Sequence, residues 1–399
     1  MSLQSTPTAE RVHIAFFGKR NAGKSSLVNA ITQQSVSVVS DILGTTTDPV
    51  KKTMELLPIG PVVIIDTPGF DDAGTLGKLR VEKTKEILNK TNVAVLVTDC
   101  SSSLDDEETN FLNVVKEKNI PHIIAHNKAD LLDKIPSAKE NAIWISAIHN
   151  KNIDELKEMI ATLSKKAKNP RHLVKDLLEE NDIVLLITPI DESAPKGRII
   201  LPQQQTIRDI LDAGATAVVC QTEQLSATLK NLTKPPKMVI CDSQAFGEVS
   251  KLVPKTIPLT SFSILFARYK GDLKLQVMGA SMLSKLSSGD RVLISEGCTH
   301  HRQCGDIGTV KLPKWIKEFC DADVDFDFTS GGDFPKDLSK YKLIVHCGGC
   351  MLNDAEMKYR LSMAENSGIP IVNYGVAIAH INGILKRSLE LFPDVLKLL

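Results

Sequence analysis

Three cysteines and two histidines form two short clusters in the C-terminal part of the sequence, and residues of these types bind metals. Cys298 and His300 form the first cluster, and His346, Cys347 and Cys350 form the second after 45 intervening residues. Thiolates at C-x-x-C spacing point into one small volume, where they bind zinc or an iron–sulfur cluster. The pattern therefore predicts a metal site and leaves both metals open.

A glycine-rich loop near the N-terminus has the composition of a phosphate-binding loop. Residues 18–25 fit the pattern G-x-x-x-x-G-K-[ST], between an apolar strand-like run at 12–17 and a run with helical spacing. Backbone N–H groups of such a loop wrap phosphates at a helix N-terminus. In that arrangement Lys24 reaches the β- and γ-phosphates and Ser25 binds magnesium. The predicted nucleotide-binding residues of the loop are Gly18, Asn21, Ala22, Gly23, Lys24, Ser25 and Ser26.

Two aspartates that follow strand-like runs complete a guanine-nucleotide site. Asp66 opens the sequence Asp-Thr-Pro-Gly, which predicts a carboxylate beside the magnesium ion and the N–H of Gly69 beside the γ-phosphate. Asp130 ends the sequence Asn-Lys-Ala-Asp, and its carboxylate can accept two hydrogen bonds from guanine that adenine cannot donate. The nucleotide is therefore predicted to be GTP. The other predicted guanine-site residues are Asn127, Lys128, Ser146 and Ala147.

Taken together, these motifs resemble the translation-factor-like branch of small GTPases. Residues 44–48 resemble the switch I segment G-T-T-R-D of the tRNA-modification and ribosome-assembly GTPases. The resemblance implies that Thr46 senses the magnesium ion, with Thr45 as the alternative. It also implies that Asn21 binds a potassium ion, which would stabilise transition-state charge as an arginine finger does.

Hydrolysis by this site is predicted to be slow in the isolated protein. Phe70 follows Asp-Thr-Pro-Gly where many GTPases place a water-orienting glutamine, and a phenyl ring cannot hydrogen-bond water. No other residue of the motifs is an evident general base. The catalytic contribution is therefore assigned to charge and positioning, and the residues predicted to supply it are Lys24, Thr46 and Gly69.

Composition sets outer limits on the function. The 399 residues carry 48 basic and 48 acidic side chains, so no charge bias favours nucleic acid or an anionic membrane. The N-terminal segment is polar, and no apolar run approaches the roughly 20 residues that span a bilayer. Eight cysteines without a secretion signal indicate metal or redox chemistry in a reducing compartment. A soluble cytoplasmic protein is expected, with no membrane or nucleic-acid partner.

The middle of the sequence predicts a small parallel sheet. Strand-like runs at 182–188, 216–220 and 237–241 alternate with helix-like runs, after a charged, proline-bearing linker at 164–171. The segment contains no phosphate loop and no constellation of polar groups. Because a small sheet with an exposed edge often pairs with its own copy, dimerisation is the expected role.

Further strand-like runs bring the two cysteine clusters together. Cys298 follows the run at 290–297, and Cys347 ends the run at 341–347. Ligands of open parallel sheets bind outside the carboxyl ends of strands. The segments that carry the cysteines, here called the cysteine arms, are therefore expected to lie close together. Zinc stays possible, since three cysteines and a histidine make a common zinc site. Structural zinc usually staples segments too small to hold a core, however, which favours iron–sulfur here.

The whole chain resembles the FeFe-hydrogenase maturation GTPases in its three segments and its C-x-H-x(45)-H-C-x-x-C pattern. The resemblance implies a 4Fe–4S cluster on Cys298, Cys347 and Cys350, with His300 and His346 as a fourth ligand or near the cluster. It also implies a homodimer. The implied role is a scaffold and carrier for the two-iron precursor of the hydrogenase active site. Radical-SAM maturases would build that precursor, apo FeFe-hydrogenase would receive it, and GTP hydrolysis would gate the exchange of partners.

The predicted fold class is α/β throughout. A P-loop GTPase domain at 1–166 is followed by a small α/β dimerisation domain at 172–255 and a C-terminal α/β cluster-binding domain at 256–399. The alternative function is an RNA-modification or ribosome-assembly GTPase with a structural zinc site. Switch I similarity favours that alternative, whereas the neutral charge balance and the lack of a basic, aromatic RNA surface disfavour it.

Overall fold

The protein is represented by a computed structural model that describes residues 6–33, 49–70, 75–167, 171–189, 199–298 and 306–399. The chain divides into two compact units, Met1–Pro170 and Arg171–Leu399. Among the described residues, the first unit contains a six-stranded sheet and the second contains two four-stranded sheets. None of the described helices combines the length and the apolar character needed to cross a bilayer.

The sheet of the first unit carries the predicted phosphate loop, the Asp66 segment and the Asn127–Asp130 motif at the ends of its strands. Its strands are β1 Val12–Phe17, β2 Val50–Leu56, β3 Gly60–Asp66, β4 Val93–Asp99, β5 His122–Asn127 and β6 Ala142–Trp144. The helices of this unit are α1 Lys24–Thr32, α2 Thr75–Leu88, α3 Asp106–Glu117 and α4 Ile153–Ala167. The strand order is β2-β3-β1-β4-β5-β6, with only β2 antiparallel to its neighbour.

Apolar runs form the centre of this sheet because it is covered on both faces. β1 and β4 are buried along nearly their whole length, as expected of parallel strands between two helical layers. The first turn of α3 is fixed by a reciprocal cap, in which the Asp105 carboxylate accepts from the N–H of Glu108 at 3.0 Å and the Glu108 carboxylate accepts from the N–H of Asp105. Because β1, β3, β4 and β5 run parallel, the carboxyl ends of β1, β3 and β5 lie at the same edge of the sheet.

The second unit begins with the predicted small parallel sheet, which has one strand more than expected. Its strands are β7 Ile183–Ile187, β8 Thr216–Cys220, β9 Met238–Cys241 and β10 Leu259–Ser261, in the order β10-β9-β7-β8. Its helices are α5 Leu201–Asp212, α6 Leu225–Asn231 and α7 Phe246–Leu252. β8 is an edge strand, and its Val219 is exposed.

The third sheet carries the cysteines. Its strands are β11 Arg291–Ser295, β12 Asp325–Thr329, β13 Leu343–His346 and β14 Ile371–Asn373, all parallel and in the order β12-β11-β13-β14. The helices around it are α8 Phe262–Lys270, α9 Leu273–Ala280, α10 Leu312–Cys320, α11 Asp354–Asn366, α12 Tyr374–Ile381, α13 Leu385–Ser388 and α14 Pro393–Leu396. Side chains at strand ends start the next helices, as when Asn373 accepts from the N–H of Gly375 at 2.7 Å.

One apolar core runs through both sheets of the second unit. Residues of β7 such as Leu185 and residues of β11 such as Val292 belong to the same buried cluster. α8 contacts α5 of the middle segment and α11 and α12 of the C-terminal segment. β10 pairs with β9, so the second sheet extends beyond residue 255. The predicted α/β class with parallel sheets is confirmed, and the segment boundaries stay a prediction.

Candidate nucleotide and cysteine sites

Two glycines let the phosphate loop pass close to neighbouring strands. Gly18 has a φ of +148°, and a Cβ built there would lie 2.2 Å from the carbonyl oxygen of Val97. Gly23 has a φ of +88°, and its Cβ would lie 2.2 Å from the side-chain nitrogen of Asn127. Any larger residue would push the loop away from the sheet. The glycines that the motif requires are therefore also required by packing.

Lys24, Ser25 and Asp66, which are predicted to hold phosphate and magnesium, make defined hydrogen bonds at this edge. The Lys24 ammonium donates to the carbonyl oxygens of Gly18 at 2.9 Å and Lys19 at 2.6 Å, so it bridges the loop. The Ser25 hydroxyl donates to the Asp66 carboxylate at 2.6 Å. Ser25 lies in the first turn of α1 and Asp66 ends β3, which brings two hard oxygen ligands from different elements together. Such a pair suits magnesium.

The segment after β3 continues along the same edge. The Thr67 hydroxyl donates to the carbonyl oxygen of Phe16 at 2.7 Å, which ties this segment to the end of β1. Gly69 is buried. The ring of Phe70 stacks on Phe111 of α3 with centroids 5.3 Å apart. Phe70 therefore occupies the position after Gly69 as a packing residue.

The side chain of Asn127 joins three motifs. Its amide nitrogen donates to the carbonyl oxygen of Ala22 in the phosphate loop at 3.0 Å. Its amide oxygen accepts from the N–H of Ala147 at 3.1 Å. The phosphate loop and the predicted guanine loop are thus linked through one buried amide. This asparagine supports the site as well as belonging to its motif.

The carboxylate of Asp130, which is predicted to read guanine, is exposed and held by a neighbouring motif. The Ser146 hydroxyl donates to the Asp130 carboxylate at 2.5 Å and keeps the pKa of Asp130 below its ordinary value. Lys128 pairs with Asp99 at 2.7 Å. Partial burial would raise the pKa of Asp99, but the hydrogen bonds from Lys128 and Ser101, with the charge of Lys128, together outweigh it and lower that pKa to about 2. Both aspartates are ionised at neutral pH.

The roles predicted for Asn21 and Thr46 stay predictions. Asn21 lies on the exposed outside of the loop with a φ of +59°, in the left-handed region that asparagine tolerates. Thr46 and the rest of 44–48 lie outside the described residues.

Sequence reasoning missed the ion pairs that Lys19 of the loop makes with Asp105 and Glu107 at the start of α3. Nothing in the motif pattern marks that lysine.

The two cysteine arms lie on adjacent strands, as predicted. Cys347 directly follows β13, and its N–H donates to the carbonyl oxygen of Ser295 at the end of β11 at 3.0 Å. Cys298 lies three residues beyond Ser295. The Cys347 sulfur accepts from the N–H of Gly297 at 3.0 Å and of Gly349 at 3.4 Å. Backbone donors are therefore already directed at one of the three sulfurs.

Glycines also let these two loops approach each other. A Cβ on Gly297 would lie 2.7 Å from the Leu352 side chain, and Gly349 has a φ of +64°. Burial, followed by the negative charge of the Cys350 thiolate, raises the pKa of Cys347 to about 11, against the opposing effect of the two N–H donors. The free thiol is therefore protonated at neutral pH, and a bound metal would have to displace that proton.

His346 is fully enclosed and uses both ring nitrogens. Nε2 lies 3.1 Å from Arg360 Nη1, which can only donate, so Nε2 accepts. Nδ1 therefore carries the proton and donates to the carbonyl oxygen of Cys347 at 2.7 Å. Burial and the nearby guanidinium lower the pKa of His346 to about 3, so the ring is neutral. The structure gives this histidine a supporting place beside the cysteines.

The sulfurs are not gathered as a finished ligand set in this structure. Across the described ranges, no three His, Cys, Asp or Glu side chains come together in a way that would hold a metal ion. His300 lies outside the described residues. The donor set nevertheless fits an iron–sulfur cluster chemically, because three thiols lie in loops beyond one sheet edge and backbone N–H groups point at sulfur.

Sequence reasoning missed the charged residues beneath these loops. Arg360 of α11 is completely buried and pairs with Glu356 at 2.8 Å. Removing one partner of such a buried pair typically costs roughly 3–5 kcal/mol. Lys270, at the end of α8, is also completely buried. The spacing of Glu356 and Arg360 is that of an ordinary surface pair on a helix, so their burial could not be predicted from it.

The fold and these motifs define the class of the protein, which is a P-loop GTPase unit followed by two α/β segments. A family model described as 50S ribosome-binding GTPase matches residues 13–128. Two models of hydrogen maturase F match later parts of the chain, the dimerization domain at residues 173–271 and the tetramerization domain at residues 274–391. Together these two span more than half of the sequence. The chain belongs to the hydrogen maturase F family, HydF, as the sequence motifs predicted.

Individual proteins resemble parts of the chain. The tRNA modification GTPase MnmE of Streptococcus sanguinis is 34% identical over 157 residues, which are 39% of this chain and 34% of that protein. MnmE of Aquifex aeolicus is 30% identical over 208 residues, 46% of this chain and 45% of that protein. The chain thus spans less than half of either relative. The solved structure of Aquifex aeolicus Era bound to GDP.AlF4- is 17% identical and covers 80% of this chain and 92% of that one, at a TM-score of 0.34.

Proposed function

We propose that the protein is a GTP-hydrolysing scaffold that holds a 4Fe–4S cluster and serves in assembly of the FeFe-hydrogenase active site. The observation that carries this proposal is that one chain contains two sheet edges with candidate ligand residues. One edge holds the Ser25–Asp66 pair beside a phosphate loop. The other places Cys347 on the strand next to the one that leads to Cys298. Membership of the hydrogen maturase F family supports joining the two.

GTP is proposed to bind across the edge formed by β1, β3 and β5. Lys24 would hold the β- and γ-phosphates, and Ser25 and Asp66 would hold magnesium together with Thr46. Asp130 would read guanine. The exposed side chain of Asn21 would contribute a ligand to potassium, which supplies positive charge to the leaving phosphate oxygens in place of an arginine.

The cluster is proposed to be held by Cys298, Cys347 and Cys350. When bound, such a cluster offers an iron position that the protein leaves open to exchangeable ligands. The N–H groups of Gly297 and Gly349 would stabilise the Cys347 thiolate. Two histidines were predicted for the fourth position or its surroundings. Because His346 already uses both ring nitrogens, His300 is the candidate for that position.

The two-iron precursor of the hydrogenase active site is the proposed cargo. Radical-SAM maturases would supply it, apo FeFe-hydrogenase would receive it, and GTP turnover would gate the exchange of these partners. The site of action would be the cytoplasm, without membrane or nucleic acid. The family descriptions name dimerization and tetramerization domains, which supports a homodimer formed through the middle segment and leaves room for a larger assembly. The proposed segments are 1–166, 172–255 and 256–399.

Similarity to the tRNA modification GTPases favours a second candidate, an RNA-modification or ribosome-assembly GTPase with structural zinc. That similarity covers 39% of the chain in the Streptococcus sanguinis relative. The tetramerization-domain model matches the part of the chain that contains the three proposed cluster cysteines. The dimerization-domain model matches the sheet that precedes them. The assembly function therefore takes precedence.

An anaerobic activation assay tests the proposed function. The wild type is combined with the two radical-SAM maturases and apo FeFe-hydrogenase, and hydrogen evolution is measured. We expect activation by the wild type and by Cys320→Ser, a control on α10, and none by Cys347→Ser, although all three hydrolyse GTP equally. Full activation by a Cys347→Ser protein that contains no iron would contradict the scaffold proposal.

A further inference from the structure

Two positively charged side chains are completely buried below the cysteine loops. Arg360 of α11 and Lys270 of α8 each have 0% exposure. Lysine and arginine are almost never fully buried unless their charge is paired or solvated by the protein. Lys270 donates to main-chain carbonyls of the loop that carries Cys350. Arg360 donates to Gly331 and His346, each of which contacts the main chain at one of the other two cysteines. Their placement therefore needs an explanation beyond packing.

Arg360 connects two of the three cysteine arms. Its Nη2 donates to the carbonyl oxygen of Gly331 at 2.6 Å, and the N–H of Gly331 donates to the carbonyl oxygen of Cys298 at 3.2 Å. Its Nη1 donates to His346 Nε2 at 3.1 Å, and His346 donates in turn to the carbonyl oxygen of Cys347 at 2.7 Å. One guanidinium thus reaches both arms, each through a single intermediate residue.

Further contacts fix the plane of this guanidinium. Nη2 also donates to the Glu356 carboxylate at 2.8 Å, and Nη1 lies 3.3 Å from the hydroxyl of Ser295 at the end of β11. The ring of Phe334 covers the group at 5.1 Å. A planar guanidinium held in this way directs its N–H groups at several acceptors in fixed directions, which the single ammonium of a lysine cannot do.

Lys270 serves the third arm in the same manner. Its ammonium donates to the carbonyl oxygens of Cys350 at 3.1 Å and Leu352 at 2.8 Å. These two carbonyls belong to the loop that leaves the C-x-x-C turn. The two cations together therefore contact, directly or through one residue, the main chain at every proposed cluster cysteine.

We propose that Arg360 and Lys270 are positioning residues that set the three cysteine arms for the cluster and supply positive charge beneath it. This inference rests on the proposed cluster function. Neither side chain is proposed as a ligand, since Lys270 donates to carbonyl groups and Arg360 donates to the Gly331 carbonyl and to His346. Partners of this kind orient metal ligands, and their loss typically weakens metal binding roughly 10- to 100-fold. Gathering thiolates in one place also requires nearby positive charge.

The variants must separate positioning from simple unfolding. Arg360→Met is paired with Glu356→Gln, so that no unpaired carboxylate is left buried. Arg360→Lys keeps the charge but loses the fork, and Lys270→Met removes the third support. Arg387→Met is the matched control, because Arg387 also holds a loop of the same unit through carbonyl oxygens. Its acceptors are Ser250 at 2.6 Å, Val253 at 2.8 Å and Pro254 at 3.0 Å.

The first measurement needs no metal. Apo protein of full length is alkylated with iodoacetamide, and the rate at each cysteine is followed by mass spectrometry, with Cys320 as internal reference. We expect the double variant to alkylate Cys298 and Cys347 about tenfold faster than wild type, because local opening of both arms becomes easier. Lys270→Met should act mainly on Cys350. Arg360→Lys should be intermediate, and Arg387→Met should match wild type at all three.

The second measurement uses the cluster. Each protein is reconstituted without oxygen with iron and sulfide, and the rate of iron loss to a chelator is followed by absorbance. The double variant should lose iron roughly 10- to 100-fold faster than wild type and than Arg387→Met. Wild-type rates in both measurements would overturn the inference. If the wild type binds no iron but the variants show altered alkylation, the proposed cluster is contradicted and the positioning role of Arg360 and Lys270 is supported.

Discussion

The nucleotide edge of the first unit and the cysteine edge of the second lie at equivalent places, beyond the carboxyl ends of parallel strands. They differ in how far the ligands are assembled. At the nucleotide edge, the Ser25 hydroxyl already donates to the Asp66 carboxylate at 2.6 Å. At the cysteine edge the backbone supports are present, but the side chains of the described residues are not gathered around a metal position.

This difference follows from how each edge is built. The phosphate loop is contiguous in sequence, so local backbone geometry determines most of it. The cysteine arms are 49 positions apart from Cys298 to Cys347 and depend on strand pairing and on buried groups such as Arg360. We infer that the first edge is shaped before it binds its nucleotide and cations, whereas the second is completed by the metal that it binds.

Breaking the nucleotide edge should have the largest effect and leave the cysteine edge intact. Lys24→Ala removes the ammonium that holds the phosphates, so we expect GTP hydrolysis to fall on the order of 10²- to 10³-fold, with iron content unchanged. The control is Lys157→Ala, a lysine of the same unit with similar burial, 9% exposed against 8%. A parallel fall in iron content would contradict the independence of the two edges.

Changing the guanine reader should alter selectivity more than folding. Asp130→Asn replaces two accepted hydrogen bonds, so GTP affinity should drop by about 100-fold and xanthosine triphosphate should become the better ligand. The measurement is a titration of both nucleotides by isothermal calorimetry. Equal hydrolysis of ATP and GTP by the wild type would show that Asp130 does not select guanine.

Potassium sensitivity sharpens the role of the exposed loop residue. Wild-type hydrolysis should be on the order of tenfold faster in potassium than in sodium, because a bound cation stabilises the developing phosphate charge. Asn21→Gly, which tolerates the φ of +59°, should abolish the difference. Asn119→Gly is the control, since Asn119 also has a positive φ of +52°. Equal wild-type rates in the two salts would remove the cation from the account.

The smallest effect concerns the support of Asp130. Its folded pKa is lowered by the Ser146 hydroxyl, so the carboxylate stays ionised to more acidic pH than usual. Ser146→Ala should raise that pKa toward its ordinary value, and loss of GTP binding on acidification should begin at a higher pH than in wild type. Binding curves at stepwise lower pH check this, with Ser164→Ala of α4 as control. Superimposable curves for Ser146→Ala and wild type would contradict it.

The sequence allowed prediction of what is local or follows from sheet topology. The phosphate loop has a contiguous motif, and the convergence of Cys298 and Cys347 follows from parallel strands sharing one edge. Two edge strands were missed, since β10 has only three residues and β2 alternates exposed residues with residues that are mostly only partly buried. Arg360 and Lys270 were also missed, because burial of a charged residue on a helix depends on distant elements that local spacing does not encode.

Metal analysis of the anaerobically purified wild type tests the central claim most directly. The account predicts a brown protein with about four iron and four sulfide per chain after reconstitution. Replacing any one of Cys298, Cys347 and Cys350 by serine should abolish that content, while GTP hydrolysis persists. A colourless wild type with stoichiometric zinc and no iron, held by the same three cysteines, would contradict the scaffold account and favour the RNA-modification alternative.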